Sequence, residues 1–133
     1  MTQEIDKLAW LHIRGGRLLC ARSRGKVTWY LPGGKREPGE SDGDALVREI
    51  REELSIDLLP ETMAHVGVFV AQADAKPQGT MVRLTCYRAE FRGQMAPAAE
   101  IEEVRWVGHQ DRDGCSLATR LVLDWLKERG MIE

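Results

Sequence analysis

Hydrophobic and polar positions alternate in two distinct rhythms along the chain. Leu8 to Ile13 (LAWLHI) and Arg17 to Ala21 (RLLCA) are short apolar runs parted by Gly15-Gly16, a pattern that predicts a hairpin. Val27 to Leu31 reads as a further short strand, ended by Pro32. From Ser41 the period lengthens: Ser41 with Asp44 three residues on resembles a capping box, and apolar residues at helical spacing run to about Leu54. Ala64 to Ala71 (AHVGVFVA) and Met81 to Phe91 (MVRLTCYRAEF) are rich in the Val, Thr and aromatic residues that suit strands, and AKPQGT between them is a turn. Val104 to Val107 is a last strand. Ser116 to Arg129 is a helix with Leu117, Leu121 and Trp125 as its core stripe and Gly130 as its stop. Strands around one internal helix, with a second helix at the end, predict an α/β fold with a mixed sheet between helices. The whole of residues 1–133 fits one domain.

The internal helix is unusual in where it puts charge. With Leu46 at zero on a helical wheel, Ile50 and Leu54 fall at roughly 40° and 80° and define the buried stripe, with Val47 at its edge. Glu53 then lies at roughly −20°, Glu49 at about −60° and Glu52 at about −120°. Arg48 and Arg51 take the far side, so the acids lean toward the core. Like charges so spaced destabilise a helix, and partial burial costs more. A divalent cation compensates most simply, and oxygen-only ligands favour Mg²⁺ or Mn²⁺. Flexible surface glutamates paired with Arg48 and Arg51 are the alternative. Ahead of the helix, WYLPGGKREPGE supplies turn glycines, exposed backbone groups and a cation at Lys35.

These residues match the Nudix box, Gly-x5-Glu-x7-Arg-Glu-U-x-Glu-Glu-x-Gly-U with U aliphatic, at Gly34, Glu40, Arg48, Glu49, Ile50, Glu52, Glu53 and Ile56. Chance agreement at the six Gly, Arg and Glu positions is on the order of one in ten million per start. The WYLPGG and EIEEVRWV segments also resemble the family, so the likeness covers nearly the whole chain. It implies the Nudix α/β/α sandwich and a hydrolase that cleaves a phosphoanhydride with metal-activated water. By resemblance, Glu49, Glu52 and Glu53 hold Mg²⁺ with the Gly33 carbonyl as a further ligand, Arg48 braces the site, Glu40 acts at second remove, and Lys35 and Gly34 meet phosphate. The base comes from the box (Glu53) or from Glu100, Glu102 or Glu103, with Glu100 preferred because it ends PAAE before a strand. Trp29 is a candidate for stacking on a base. Ser55 stands where the family has glycine; serine makes a left-handed residue costlier by about 1 kcal/mol, so the loop after Leu54 is expected to take another path.

Composition narrows the partners. A net charge of −2 gives no footprint for a nucleic-acid duplex or an anionic membrane, and the substrate that the resemblance implies is a small nucleotide with two or three phosphates. No run approaches membrane-spanning length and the first residues lack a signal-peptide pattern, so a cytoplasmic protein is expected. Cys20, Cys86 and Cys115 suit neither a disulfide framework nor a zinc site, and His12, His65 and His109 lack ligand spacing. Asp111-Arg112-Asp113-Gly114 resembles a calcium loop only faintly and reads as a turn. The markers for ADP-ribose, diadenosine polyphosphate and coenzyme A substrates are missing, which leaves a MutT-like enzyme releasing a nucleoside monophosphate and pyrophosphate. Hydrolysis of a sugar nucleotide or dinucleotide stays open, as does a Nudix-fold module that binds without turnover. Dimers are common in the family, so a homodimer is open too.

Overall fold

The structure, a computed structural model, describes residues 3–133. In chain order the elements are β1 (Gln3–Trp10), β2 (Ile13–Arg14), β3 (Arg17–Ser23), β4 (Gly33–Lys35), α1 (Asp42–Leu54), β5 (Asp57–Leu58), a 3-10 turn (Pro60–Thr62), β6 (Ala64–Gln72), β7 (Thr80–Arg88), β8 (Phe91–Arg92), β9 (Ile101–Val107), a second 3-10 turn (His109–Gly114) and α2 (Leu117–Glu128). A mixed sheet runs β4-β1-β7-β6, with β1 parallel to β7 and antiparallel to β4. An antiparallel sheet β2-β3-β9 lies beside it, and β5 pairs with β8.

Two cores explain the apolar runs. Leu8, Trp10 and Leu19 pack against Leu46, Ile50 and Leu54 of α1. Their neighbours Ala9, Leu11, Leu18 and Cys20 pack with Val122, Leu123 and Leu126 of α2. Successive strand side chains point to opposite faces, so a strand buried on both sides has to be apolar throughout. This corrects the hairpin expected from LAWLHI and RLLCA. The first run pairs with β4 and β7, and the hairpin is only the short β2–β3 ladder, Ile13 with Leu18 and Arg14 with Arg17.

Val27 to Leu31 is also corrected: Trp29 and Tyr30 make isolated bridges and Val27 is 88% exposed. In α2 the buried face is Ala118, Thr119, Val122, Leu123 and Leu126, whereas Leu117 and Leu121 are exposed. Trp125 is half-buried, edge-on to Phe69 at 6.0 Å with Arg129 over its ring. Two apolar series four residues apart run side by side here, and the neighbouring sheet selects the one with the smaller first residue, Ala118.

The helix ends are made locally. Ser41 Oγ accepts the Asp44 N–H at 3.1 Å, which starts α1 where the sequence predicts. The Asp111–Gly114 stretch lies in the second 3-10 turn, where Asp111 accepts the Gly108 N–H. Its close neighbour His109 hydrogen-bonds Asp124 at 2.8 Å, and Arg112 binds that carboxylate through two nitrogens. His12 stacks on Trp10. All three cysteines are free and buried. No helix among the described residues is long and apolar enough to cross a membrane.

Candidate active site

The wheel position of Glu53, adjoining Ile50 and Leu54, becomes real burial: its side chain is 7% exposed. Gly33 on β4 donates its N–H to Glu53 Oε1 at 2.9 Å. Gly33 sits at φ +148°, and a Cβ there would collide with the Leu8 carbonyl on β1. A Cβ on Gly34 would overlap the Glu49 carboxylate. The two glycines therefore let β4 lie flush against both β1 and the acidic face of α1. Gly33 thus touches the acidic face of α1 through its N–H on Glu53.

Arg48 ties the preceding loop to the helix. It donates to both oxygens of Glu40 at 2.8 Å, to Glu49 Oε1 at 2.9 Å and to the Lys35 carbonyl at 3.1 Å. Its Nη1 also reaches Glu52 at 3.5 Å. The paired Arg48 bonds, helped by the Glu37 N–H, hold the Glu40 carboxyl down at about 2. Arg51 faces outward and pairs with Asp57.

A cavity of about 480 Å³ opens beside these groups, a size that suits a nucleotide. Glu49, Glu53, Glu100, Gly33, Gly34 and Lys35 stand on its wall. Burial first, opposed by the Gly33 N–H and reinforced by Glu100 and Glu49, pushes the Glu53 carboxyl up to about 8. Burial also raises Glu49 against the pull of Arg48. Glu52 is exposed and is not on the wall, and among the described residues no three acidic, His or Cys groups converge tightly enough to enclose a metal ion.

Of the three later glutamates, the structure brings Glu100 to the cavity; Glu102 and Glu103 pair with Arg22 at 2.9 and 3.0 Å. A short zip explains the placement of Glu100. Ala96 N–H donates to the Leu54 carbonyl and Ala98 N–H to the Glu53 carbonyl, each at 2.9 Å, while Ser55 Oγ donates to the Ala96 carbonyl at 3.0 Å. Ser55 itself adopts the left-handed conformation, φ 64° and ψ 23°, with its N–H on the Arg51 carbonyl. The different loop path expected after Leu54 is thus corrected: serine occupies the glycine conformation and its hydroxyl adds a bond that glycine lacks.

Trp29 is placed outside the cavity. Its indole packs on the α2-side core with Arg22 and Arg105 each 5.7 Å from the ring, and it is the next residue, Tyr30, that faces the cavity. Extended backbone sends neighbours to opposite sides, so a one-residue choice decides which aromatic meets a ligand. Tyr30 donates to Asp74, also on the wall. Lys7 is another lining residue missed by sequence reasoning. It is half-buried, and burial followed by the Lys35 charge lowers its pKa. The signal for Lys7 was present, a lone cation entering an apolar strand (DKLAWL); nothing local marks Asp74.

A profile of the NUDIX domain matches residues 8–122. The chain is 32% identical over 112 residues to the CTP pyrophosphohydrolase of Escherichia coli (strain K12), covering 80% of this chain and 78% of that protein. It is 37% identical over 103 residues to the NAD-capped RNA hydrolase NudC of Pseudomonas putida (strain W619), covering 74% of this chain but 34% of that protein. The crystal structure of a MutT NUDIX hydrolase from Burkholderia pseudomallei superposes with a TM-score of 0.73 at 26% identity, over 92% of this chain and 97% of that one. With Glu49 and Glu53 of the box at a nucleotide-sized cavity, a matching domain profile and pyrophosphohydrolase relatives, the chain belongs to the Nudix hydrolase family.

Proposed function

We propose that the protein is a Mg²⁺-dependent pyrophosphohydrolase that cleaves a nucleoside triphosphate to nucleoside monophosphate and pyrophosphate. One observation carries the reading: Glu53 is buried and pressed by Glu49 and Glu100 at the wall of a nucleotide-sized cavity, with no cation side chain bonded to it among the described residues. Such a donor set fits a hard divalent ion. Glu49 and Glu53 on the wall would hold it, with Glu52 turned in from the exposed side of α1 and the Gly33 carbonyl as further ligands, and it would supply charge neutralisation at the phosphoanhydride and a more acidic water.

The chain's own groups do the rest. Arg48 fixes Glu49 and joins it to Glu40, so the acidic face of α1 keeps one orientation. Lys35 and the Gly34 backbone line the phosphate side. Glu100, held by the 96–98 zip, accepts the proton of the attacking water on its carboxylate. The water oxygen bonds to phosphorus, the bridging P–O bond breaks, and pyrophosphate leaves with the electron pair. Support for the substrate comes from the relative named CTP pyrophosphohydrolase, matched along most of both chains.

The test is a panel of nucleoside triphosphates, oxidised nucleotides, dinucleotides and sugar nucleotides with Mg²⁺ or Mn²⁺, scored for phosphate or pyrophosphate. Pyrophosphate release from triphosphates, abolished by EDTA, is expected. Glu53→Gln should fold normally and lose about a hundredfold or more in kcat. Wild-type turnover by that variant overturns the assignment, and a silent panel with retained nucleotide binding makes the protein a binding module.

A further inference from the structure

The chain has five lysines, and four of them, Lys7, Lys26, Lys35 and Lys76, line the cavity beside Glu53. Among the described residues no arginine lines it, although arginine is far commoner in the chain. Arginines carry the ion pairs: Arg22, Arg36, Arg48, Arg51 and Arg112 all bind carboxylates. None of the four lysines forms an ion pair among the described residues, despite Glu49, Glu53, Glu100 and Asp74 on the same wall.

The backbone forces part of this crowding. Lys7 on β1 stands directly opposite Lys35 on antiparallel β4, so the two side chains share one face of the sheet. Like charges so placed destabilise a strand pair, and Lys7 is half-buried as well. A merely solvated lysine would gain nothing by entering an apolar strand beside a second cation. An anion that sits between them removes the conflict. Lys26 and Lys76 approach from the β3–β4 connection and the β6–β7 loop, and Gln72 fixes the latter. Its side-chain amide donates to the Ala73, Lys76 and Pro77 carbonyls, while its oxygen accepts the Gly79 N–H.

We propose that Lys7, Lys26, Lys35 and Lys76 form a cationic collar that selects ligands with three contiguous phosphates over those with two. The reading rests on the hydrolase assignment for its kinetic arm but not for its binding arm. A triphosphate carries about four negative charges near neutral pH, and a diphosphate esterified at both ends about two. The four ammonium groups are therefore matched in charge by the first and only half engaged by the second. Lysine suits this work because its ammonium acts as a point charge that follows a flexible chain, without the fixed fork of arginine.

The binding arm titrates metal-free protein at low salt with inorganic triphosphate, pyrophosphate and phosphate by calorimetry. Wild type should prefer triphosphate, and Lys7→Met and Lys76→Met should each weaken it about tenfold. Lys7→Arg should restore most of the affinity, and Lys127→Met, at the lysine away from the cavity, should change nothing. In the kinetic arm, Lys7→Met should raise KM for a nucleoside triphosphate about tenfold with kcat nearly kept, and leave sugar nucleotides unaffected. Equal affinity of wild type for triphosphate and pyrophosphate overturns the collar, as does a Lys7→Met effect no larger than that of Lys127→Met. Melting curves identify a variant that fails to fold, in which case Lys76→Met, on an exposed loop, decides alone. Triphosphate binding with a silent substrate panel upholds the collar while removing the hydrolase assignment.

Discussion

Ser55 shows how a single side chain can settle a conflict between local preference and site geometry. Its left-handed backbone costs about 1 kcal/mol relative to glycine, and its hydroxyl bond to Ala96 returns a similar amount. Ser55→Ala keeps the cost and loses the bond, so it should destabilise by about 1 kcal/mol or more. Ser55→Gly loses both and should stay within about 0.5 kcal/mol of wild type in urea unfolding. Equal loss in both variants would show that the hydroxyl, not the backbone, sets the energetics. The Ser55 departure was visible in the sequence; the compensating Ala96 contact was not, because it lies 41 residues away.

At the scale of elements, the loop before α1 is joined to the helix through Glu40 and Arg48. The Glu40 carboxyl titrates at about 2 in the folded protein against an ordinary 4.5, so the unfolded chain takes up its proton first as pH falls. The contribution of this tie is fully present above about 4.5 and is lost toward 2. Accordingly, the stability gap between wild type and Glu40→Gln should be flat from pH 8 to 5 and shrink steadily below pH 4.5. A gap that widens in acid would reverse the sign. Helix α2 offers a second test. Leu126→Ala, at a fully buried site, should cost about 2–5 kcal/mol, whereas Leu121→Ala should cost about 1 kcal/mol or less. The opposite order would restore the stripe expected from Leu117, Leu121 and Trp125. That stripe was misjudged because spacing alone cannot choose between two parallel apolar series; only the strand pressed against the helix does.

For the molecule as a whole, what could be read in advance followed the range of the interaction. Helix α1, its Ser41 cap, the placing of Glu53 beside the core and the acidic face were legible, since each depends on residues within two turns of one another. The partners of β1 were not, because two-sided burial erases the alternation that marks a hairpin strand. The cavity itself was half legible: the box marks Glu49, Glu53 and Lys35, while Tyr30, Asp74 and Lys7 arrive from strands and a loop far apart in the chain. Glu100 stands on the wall, whereas Glu102 and Glu103 pair with Arg22.

The pairing of β1 with β7 bears on how the protein is made. Gln3 lies beside Thr80 and Trp10 beside Tyr87, so β1 is made long before its parallel partner exists. Until then, LAWL and LLCA are apolar stretches with no sheet to enter, and closing so long a loop is slow relative to local helix formation. Folding should therefore be a late, concerted event on the ribosome, with α1 able to form early but its carboxylates ungathered until β7 emerges.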